Sequence, residues 1–478
     1  MSQVQLKKSL STIDLFSIGI GAVIGWSWVI YAGPWSTFGG SLGGILAFLL
    51  GGIICTFVGL AYAELSSAMP RAGGDLAFTF EGLGDRWAYV AGITMAYALL
   101  TLIIVETIMF PLILESLGFP LIKFGPLYEL GGETVYLSYI LISILINFLF
   151  AFLNYLGIEF SKVFQTITVV VLLLAAIFYV VTGMTLGSVE NAKPLLTSPT
   201  GVVLVILMVP GFMAGFNIVA QAVEEANIKP RTIGIVIIGT IWASVIFYIL
   251  IILGASFAAS EGVRDTGQIV VLESLAALFT GSDLPKVFVA LAALIGMLTS
   301  WNAAYIGGSR VLFALGRAKY IPKRFGTLNA KHQTPLYPIV LLFLISSVGP
   351  FLGTSQNIFT SIVNIAGFMM SVSWLLVVLS FWRLRKSNPD MNRPFKIKNG
   401  KLVGILGIVS LIFLMFLYTP LNPIGGLTSI ELTILIAILL LITLIYVIYV
   451  RKHPIVHEER RKLILGDESD IQDEKNTG

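Results

Sequence analysis

Twelve runs of about twenty mainly apolar residues, separated by short polar segments, dominate this chain. They lie near 13–38, 42–69, 87–115, 136–155, 161–184, 200–223, 234–258, 286–314, 336–354, 358–383, 403–420 and 430–450. A helix of roughly 20 apolar residues crosses the hydrocarbon core of a bilayer. Charged residues make up only 12% of the chain and apolar residues 56%, whereas a soluble domain carries about 25% charged residues. The chain therefore reads as an all-α integral membrane protein with 12 transmembrane helices, numbered here as spans 1 to 12.

An even number of spans places both termini on one side. With the N-terminal segment 1–12 in the cytoplasm, the segments on that side hold about 25 of the 30 basic residues, the asymmetry that the positive-inside rule requires. The other side holds Lys123, Lys193, Arg264 and Lys286, and Arg310 lies near the inner end of span 8. The tail 451–478 is charged and reads as a solvated cytoplasmic end. The first apolar run is long and has no small-residue cleavage site after it, so it reads as a span and not a cleaved signal. The localisation expected is a multi-pass protein of the cell membrane.

Several chemistries lack residues. The single cysteine, Cys55, excludes an internal disulfide or a cysteine metal cluster. The three histidines, His332, His453 and His457, fall in polar segments and make a poor metal site. No clustered acid, base and nucleophile suggests an enzyme, so neither cofactor nor metal is expected. A channel or receptor is the competing class, but no repeated pore segment is visible. The expected partners are the bilayer, a small solute and a coupling ion, proton or sodium, with no nucleic acid.

Two spans are interrupted. Span 1 reads GIGAVIGWSWVIYAGP, with Gly19, Gly21 and Gly25 close together, and span 6 reads VPGFMAGFNIVAQAVEE, with Pro210 between Val209 and Gly211 and with Gly215 beyond. Glycine frees the backbone and proline removes a donor. Unwound backbone at membrane depth is tolerated only where protein or a cavity encloses it. Interruptions five spans apart point to an inverted-repeat transporter with its substrate site at mid-membrane.

These segments, with AYAELSSAMPRAGGD (61–75), GFNIVAQAVEEANIKPRTI (215–233), SRVLFALGRAKYIPKRF (309–325) and WRLRKSNPDMNRPFKIK (382–398), resemble the amino acid–polyamine–organocation (APC) transporter family in the expected order. The resemblance implies a five-plus-five inverted repeat of the LeuT type: 13–184, then 200–383, followed by helices 11 and 12 over 403–450. It also implies a secondary transporter that moves an amino acid or related amine by alternating access, as symporter or exchanger, with an amine or polyamine exchanger as the alternative.

In that family the span 1 break resembles a nest for a carboxylate, and carbonyls at the span 6 break meet the amino group. Carried onto this chain, the substrate-binding candidates are Ile24, Gly25, Trp26 and Ser27, then Gly211, Phe212, Gly215, Phe216 and Asn217, with Glu106 of span 3 and Trp301 and Asn302 of span 8. Glu106, Thr299 and Ser300 are the coupling candidates. The chain departs from the family pattern in three places. Trp26 and Trp28 stand where small residues are usual, and either ring faces the site or packs between helices. Asn217 stands where an acid is common. The span 5 region TITVVVLLLAAI (166–177) lacks the lysine found in many proton-coupled members. Glu106 has no charged neighbour in sequence, so it serves either as a counter-charge or coupling group or as a neutral structural residue. Glu64 is expected to cap or pair near Arg71.

Overall fold

The computed structural model describes residues 6–116, 123–264, 269–422, 426–452 and 454–466. Each of the apolar runs is helical. Ten helices are long and apolar enough to cross a membrane. The pair α1 (Thr12–Ile24) and α2 (Ser27–Gly39), bent by 51°, makes an eleventh span. The run at 336–354 forms only a shorter apolar helix, α14 (Leu336–Ser346), and a 3-10 turn, Gly349–Leu352. The described residues therefore supply ten or eleven full spans, and the count of twelve depends on this short segment.

From the N-terminus the remaining helices are α3 (Ser41–Ala68), α4 (Gly74–Leu83), α5 (Asp85–Ser116), α6 (Leu137–Leu156) and α7 (Ile158–Leu186). There follow α8 (Pro199–Met213), α9 (Phe216–Ala222), α10 (Pro230–Ala258), the short α11 (Glu261–Arg264) and α12 (Val270–Leu278), and α13 (Leu284–Arg317). Beyond α14 come α15 (Gln356–Ser387), α16 (Gly400–Leu417), α17 (Ser429–Ile445) and α18 (His457–Leu465). Between α5 and α6 the chain departs from an all-helical reading: β1 (Pro126–Leu130) and β2 (Glu133–Tyr136) pair antiparallel around Gly131-Gly132. This hairpin is tied down at a distance. Tyr128 donates to the Phe351 carbonyl at 2.6 Å and Ser355 donates to the Gly131 carbonyl at 3.1 Å.

The two described chain ends lie at the opposite end of the bundle from the hairpin, called here the terminal face. Leu10 N–H donates to the Glu225 carbonyl and Asn227 N–H to the Leu10 carbonyl, both at 2.9 Å. The acidic pair after α9 is then neutralised by the end of α13. Arg310 grips Glu225 through two bonds of 2.8 and 3.0 Å, and Arg317 grips Glu224 through two of 2.8 Å. Glu64 corrects its expected pairing: its partners are Arg385 and Arg393, not Arg71, because the loop after α15 folds back under α3. His332 meets the Leu156 carbonyl and His457 stacks on Phe80, while His453 lies outside the described residues.

Arg310 and Glu225 are both almost fully buried. Removing one partner of such a pair strands the other charge. Arg310→Ala should lower stability by about 3–5 kcal/mol, read as a lower melting temperature of the purified protein in detergent, whereas Lys193→Ala in the exposed Lys193–Glu190 pair should change it little.

Candidate substrate site

The end of α1 is fixed by a backbone that cannot continue. Gly25 has φ +49°, a left-handed value that favours glycine, and the helix restarts at Ser27 without a side-chain cap on Trp26. The second interruption is built the same way. Gly215 has φ +139° and separates α8 from α9, and a Cβ there would stand 2.8 Å from the Ala22 carbonyl carbon of α1. The two breaks thus meet back to back, close enough that only glycine fits.

A cavity of about 580 Å³ opens at this meeting point. It touches Val23, Gly25, Gly215 and Ile218 at its inner end, and Phe38, Leu204, Thr360 and Asn422 at its outer end, so it runs from mid-bundle to the hairpin face. At its inner end α1 and α8 present their C-terminal carbonyl ends, while α2 and α9 present their N-terminal amide ends. Free amides favour an anion and free carbonyls a cation. The walls are mainly apolar, with Leu99, Leu102, Phe212, Met370 and Trp374 among them, and Glu106 is the only charged side chain among the described lining residues.

Glu106 is buried and its two oxygens are already engaged. Trp26 Nε1–H donates to Oε2 at 3.0 Å and the Ser300 hydroxyl meets Oε1. The same Ser300 hydroxyl lies 3.0 Å from the Met297 carbonyl. An ionised Glu106 can accept from Ser300, and a protonated one can donate to Ser300 while Ser300 donates to Met297. The site therefore satisfies either protonation state without a cation. The bond to Glu106 ties the Trp26 indole to α5.

Of the candidates, Ile24, Gly25, Trp26, Ser27, Glu106, Gly211, Phe212, Gly215 and Ser300 line the cavity. Gly211 faces it openly, with nothing within 4 Å of where a Cβ would stand. Four others do not line this cavity. Phe216 turns to pack on Trp374 and Tyr62, at ring separations of 5.2 and 5.7 Å. Asn217 turns back: its carbonyl oxygen accepts from Gly215 N–H at 3.2 Å, and its amide donates to Met95 Sδ at 3.2 Å. Trp301 lies between Phe110 and Phe150 on the far side of α13. Asn302 joins Asn154, Ser161 and Gln165. Trp28 packs between helices, against Tyr179 and Phe247. Thr299 also lies off the cavity and donates to the Gly21 carbonyl at 3.0 Å, beneath the α1 break.

Other polar residues at the breaks carried no local signal in the sequence. Tyr248 of α10 donates to the Val23 carbonyl at 2.8 Å and so ties down the last turn of α1. Gln165 of α7 reaches the Ser17 carbonyl of α1 at 3.4 Å and accepts from Asn302 at 2.8 Å. Below the cavity Asp75 of α4 accepts from Tyr62 and Gln221, each at 2.7 Å, and from Ser373 at 2.5 Å. Burial holds the Asp75 carboxyl above the usual carboxylate range, against these three donors.

The family model for amino acid permeases matches residues 10–445. This chain belongs to the amino acid permease family of the APC type. The chain is 26% identical over 404 residues to the branched-chain amino acid permease BcaP of Bacillus subtilis (strain 168), covering 82% of this chain and 84% of the relative. It is 25% identical over 411 residues to the methylthioribose transporter of the same organism, covering 84% and 86%. A third relative there, an aspartate-proton symporter, is 25% identical over 422 residues, with 84% and 78% covered. These relatives are transporters, and with its apolar helices the permease is a multi-pass membrane protein.

A side chain at Gly215 meets both a disfavoured φ and the α1 backbone. Gly215→Val should abolish uptake into proteoliposomes while leaving membrane insertion and expression near wild type. Gly211→Ala, placed in open space, should retain insertion and alter only the apparent affinity for substrate.

Proposed function

We propose that this permease moves a zwitterionic α-amino acid with an apolar side chain across the cell membrane by alternating access, with the terminal face in the cytoplasm. The excess of basic residues in the terminal-face loops supports that orientation. One observation carries the substrate class: the cavity joins two helix breaks, each with a carbonyl end and an amide end, to apolar walls, and the only charged residue among its described lining is already engaged. A carboxylate is stabilised by the amide ends of α2 and α9, and an ammonium by the carbonyl ends of α1 and α8. The remainder of the substrate meets Leu99, Phe212 and Met370. An acidic side chain finds no cation there. A second ammonium, as in a polyamine, finds a carboxylate whose oxygens already accept two donors. The printed function of the Bacillus relative BcaP, a branched-chain amino acid permease, agrees with this reading.

The five-plus-five inverted repeat over 13–184 and 200–383, with the last two helices over 403–450, belongs to the same proposal. Its support is the pair of interrupted helices, α1–α2 and α8–α9, meeting at the cavity. Among the described residues the cavity runs to the hairpin face, which supports reading this as the conformation that loads substrate from outside the cell. Glu106 is the proposed coupling group, since its site accepts or donates through Ser300 with no rearrangement of heavy atoms.

Competition for uptake into proteoliposomes tests the substrate class. Leucine and isoleucine should compete, and their decarboxylated amines and aspartate should not; competition by the amines alone would overturn the proposal. The coupling role has its own test. Glu106→Gln should abolish accumulation driven by a proton gradient but preserve exchange of substrate between preloaded and external pools. Undiminished proton-driven accumulation in that variant removes Glu106 from coupling.

A further inference from the structure

Between the cavity and the terminal face lies a plug. Phe216 and Trp374 form its upper layer. Beneath them α4 fills the space between α3, α9 and α15, because Asp75 binds one side chain from each: Tyr62, Gln221 and Ser373. For the cavity to open on this face, α4 must withdraw. A second element covers α4 from outside. The nine-residue helix α18, from the end of the described chain, packs on α4 and on the end of α13.

The contacts of α18 are specific. Arg460 is 3% exposed, although it belongs to a polar terminal segment. Its Nη1 donates to Asp85 Oδ1 at 2.5 Å, its Nε donates to the Ala318 carbonyl at 3.1 Å, and its guanidinium lies 4.5 Å from the centre of the Tyr320 ring. Tyr320 donates to the same Asp85, at 3.0 Å. His457 stacks on Phe80 of α4 at 4.7 Å, and Arg461 reaches Glu81 at 3.2 Å. Across the gap, Glu459 pairs with Lys319 at 2.9 Å. The helix thus holds α4 on one side, through Phe80 and Glu81, and the end of α13 on the other, through Ala318, Lys319 and Tyr320. The end of α13 also carries Arg310 and Arg317, the cations that clamp the acidic pair after α9.

We infer that α18 is a strap across the terminal-side closure, and that Arg460 is the positioning residue that anchors this strap to Asp85 and the end of α13, so that His457 and Arg461 hold α4 and set how often the cavity opens to that face. The contacts given for Arg460 include no cavity residue, so it acts through Asp85, Ala318 and Tyr320 and through the placement of α18. A buried guanidinium that loses its carboxylate is left poorly compensated, so the strap favours the closed arrangement. The inference rests on the alternating-access reading but not on the identity of the substrate.

Thiol accessibility tests it, helped by the chain's single, buried cysteine. In a Cys55→Ser background, Ile218→Cys places a reporter at the start of α9, above the plug. Inside-out and right-side-out vesicles are treated with a membrane-impermeant maleimide. Arg460→Ala should raise labelling from the terminal side at least about threefold and raise KM for uptake from the hairpin side, because fewer molecules await substrate there. Arg460→Lys, which keeps the charge but not the fork of donors, should fall between. Wild-type labelling and KM in a folded Arg460→Ala variant overturn the inference. If that variant does not fold, Asp85→Asn removes the same contact from the other side and should give the same shift; its absence in folded Asp85→Asn has the same force. A labelling shift without uptake of any amino acid would leave the strap standing and defeat the substrate proposal instead.

Discussion

Everything in this fold is arranged around two points where the backbone stops being helical inside an apolar bundle. At Gly25 and Gly215 amides and carbonyls lose their helical partners, and each such group left bare in hydrocarbon costs several kcal/mol. The bundle answers by pressing the two breaks against each other and supplying polar side chains from the surrounding helices. Tyr248, Thr299 and Gln165 each take one carbonyl of α1. On the proposed reading, a substrate's charged ends serve the backbone groups that face the cavity. Structural cost and binding capacity are thus two aspects of one backbone feature.

The distribution of charge follows the same logic. Carboxylates at the terminal face are met by arginines in forked geometry, as with Glu224, Glu225 and Glu64. Two acids lie deeper and have only neutral donors: Glu106 beside the cavity and Asp75 below it. An arginine would hold a carboxylate ionised in every conformation. Neutral donors hold it less firmly, which is what a residue needs if its protonation or its partners change during a cycle. In the proposed cycle, opening at the terminal face would part these ion pairs and the α18 strap.

Much of the architecture was legible in the sequence because apolar run length and glycine position are local signals. The apolar runs are helical, ten or eleven of them long enough to span, and the helix interruptions fall at the glycines Gly25 and Gly215 that the pattern marked. Partnerships across long separations were not legible. Trp26 binds Glu106 across 80 residues, and nothing local distinguishes an indole that reaches a carboxylate from one that packs in a core. Phe216, Asn217, Trp301 and Asn302 do not line the cavity although their near neighbours do, since one residue along a helix turns a side chain by about 100°. The hairpin at 126–136 has a local signal of its own, since PLYELGGETVY carries a Gly-Gly turn between strand-forming residues.

Helix α17 and the turn that continues it to Val450 are only 11% buried over their apolar window, against 67% for α13. Packing against protein rewards one shape at each position, but lipid chains conform to whatever apolar surface they meet. Side chains such as Leu440, Leu441 and Leu444 are therefore bound by polarity and scarcely by form. This surface offers an engineer open ground: it can be rewritten among Leu, Ile, Val and Phe to tune the match to a chosen bilayer or detergent, without disturbing the breaks on which transport depends.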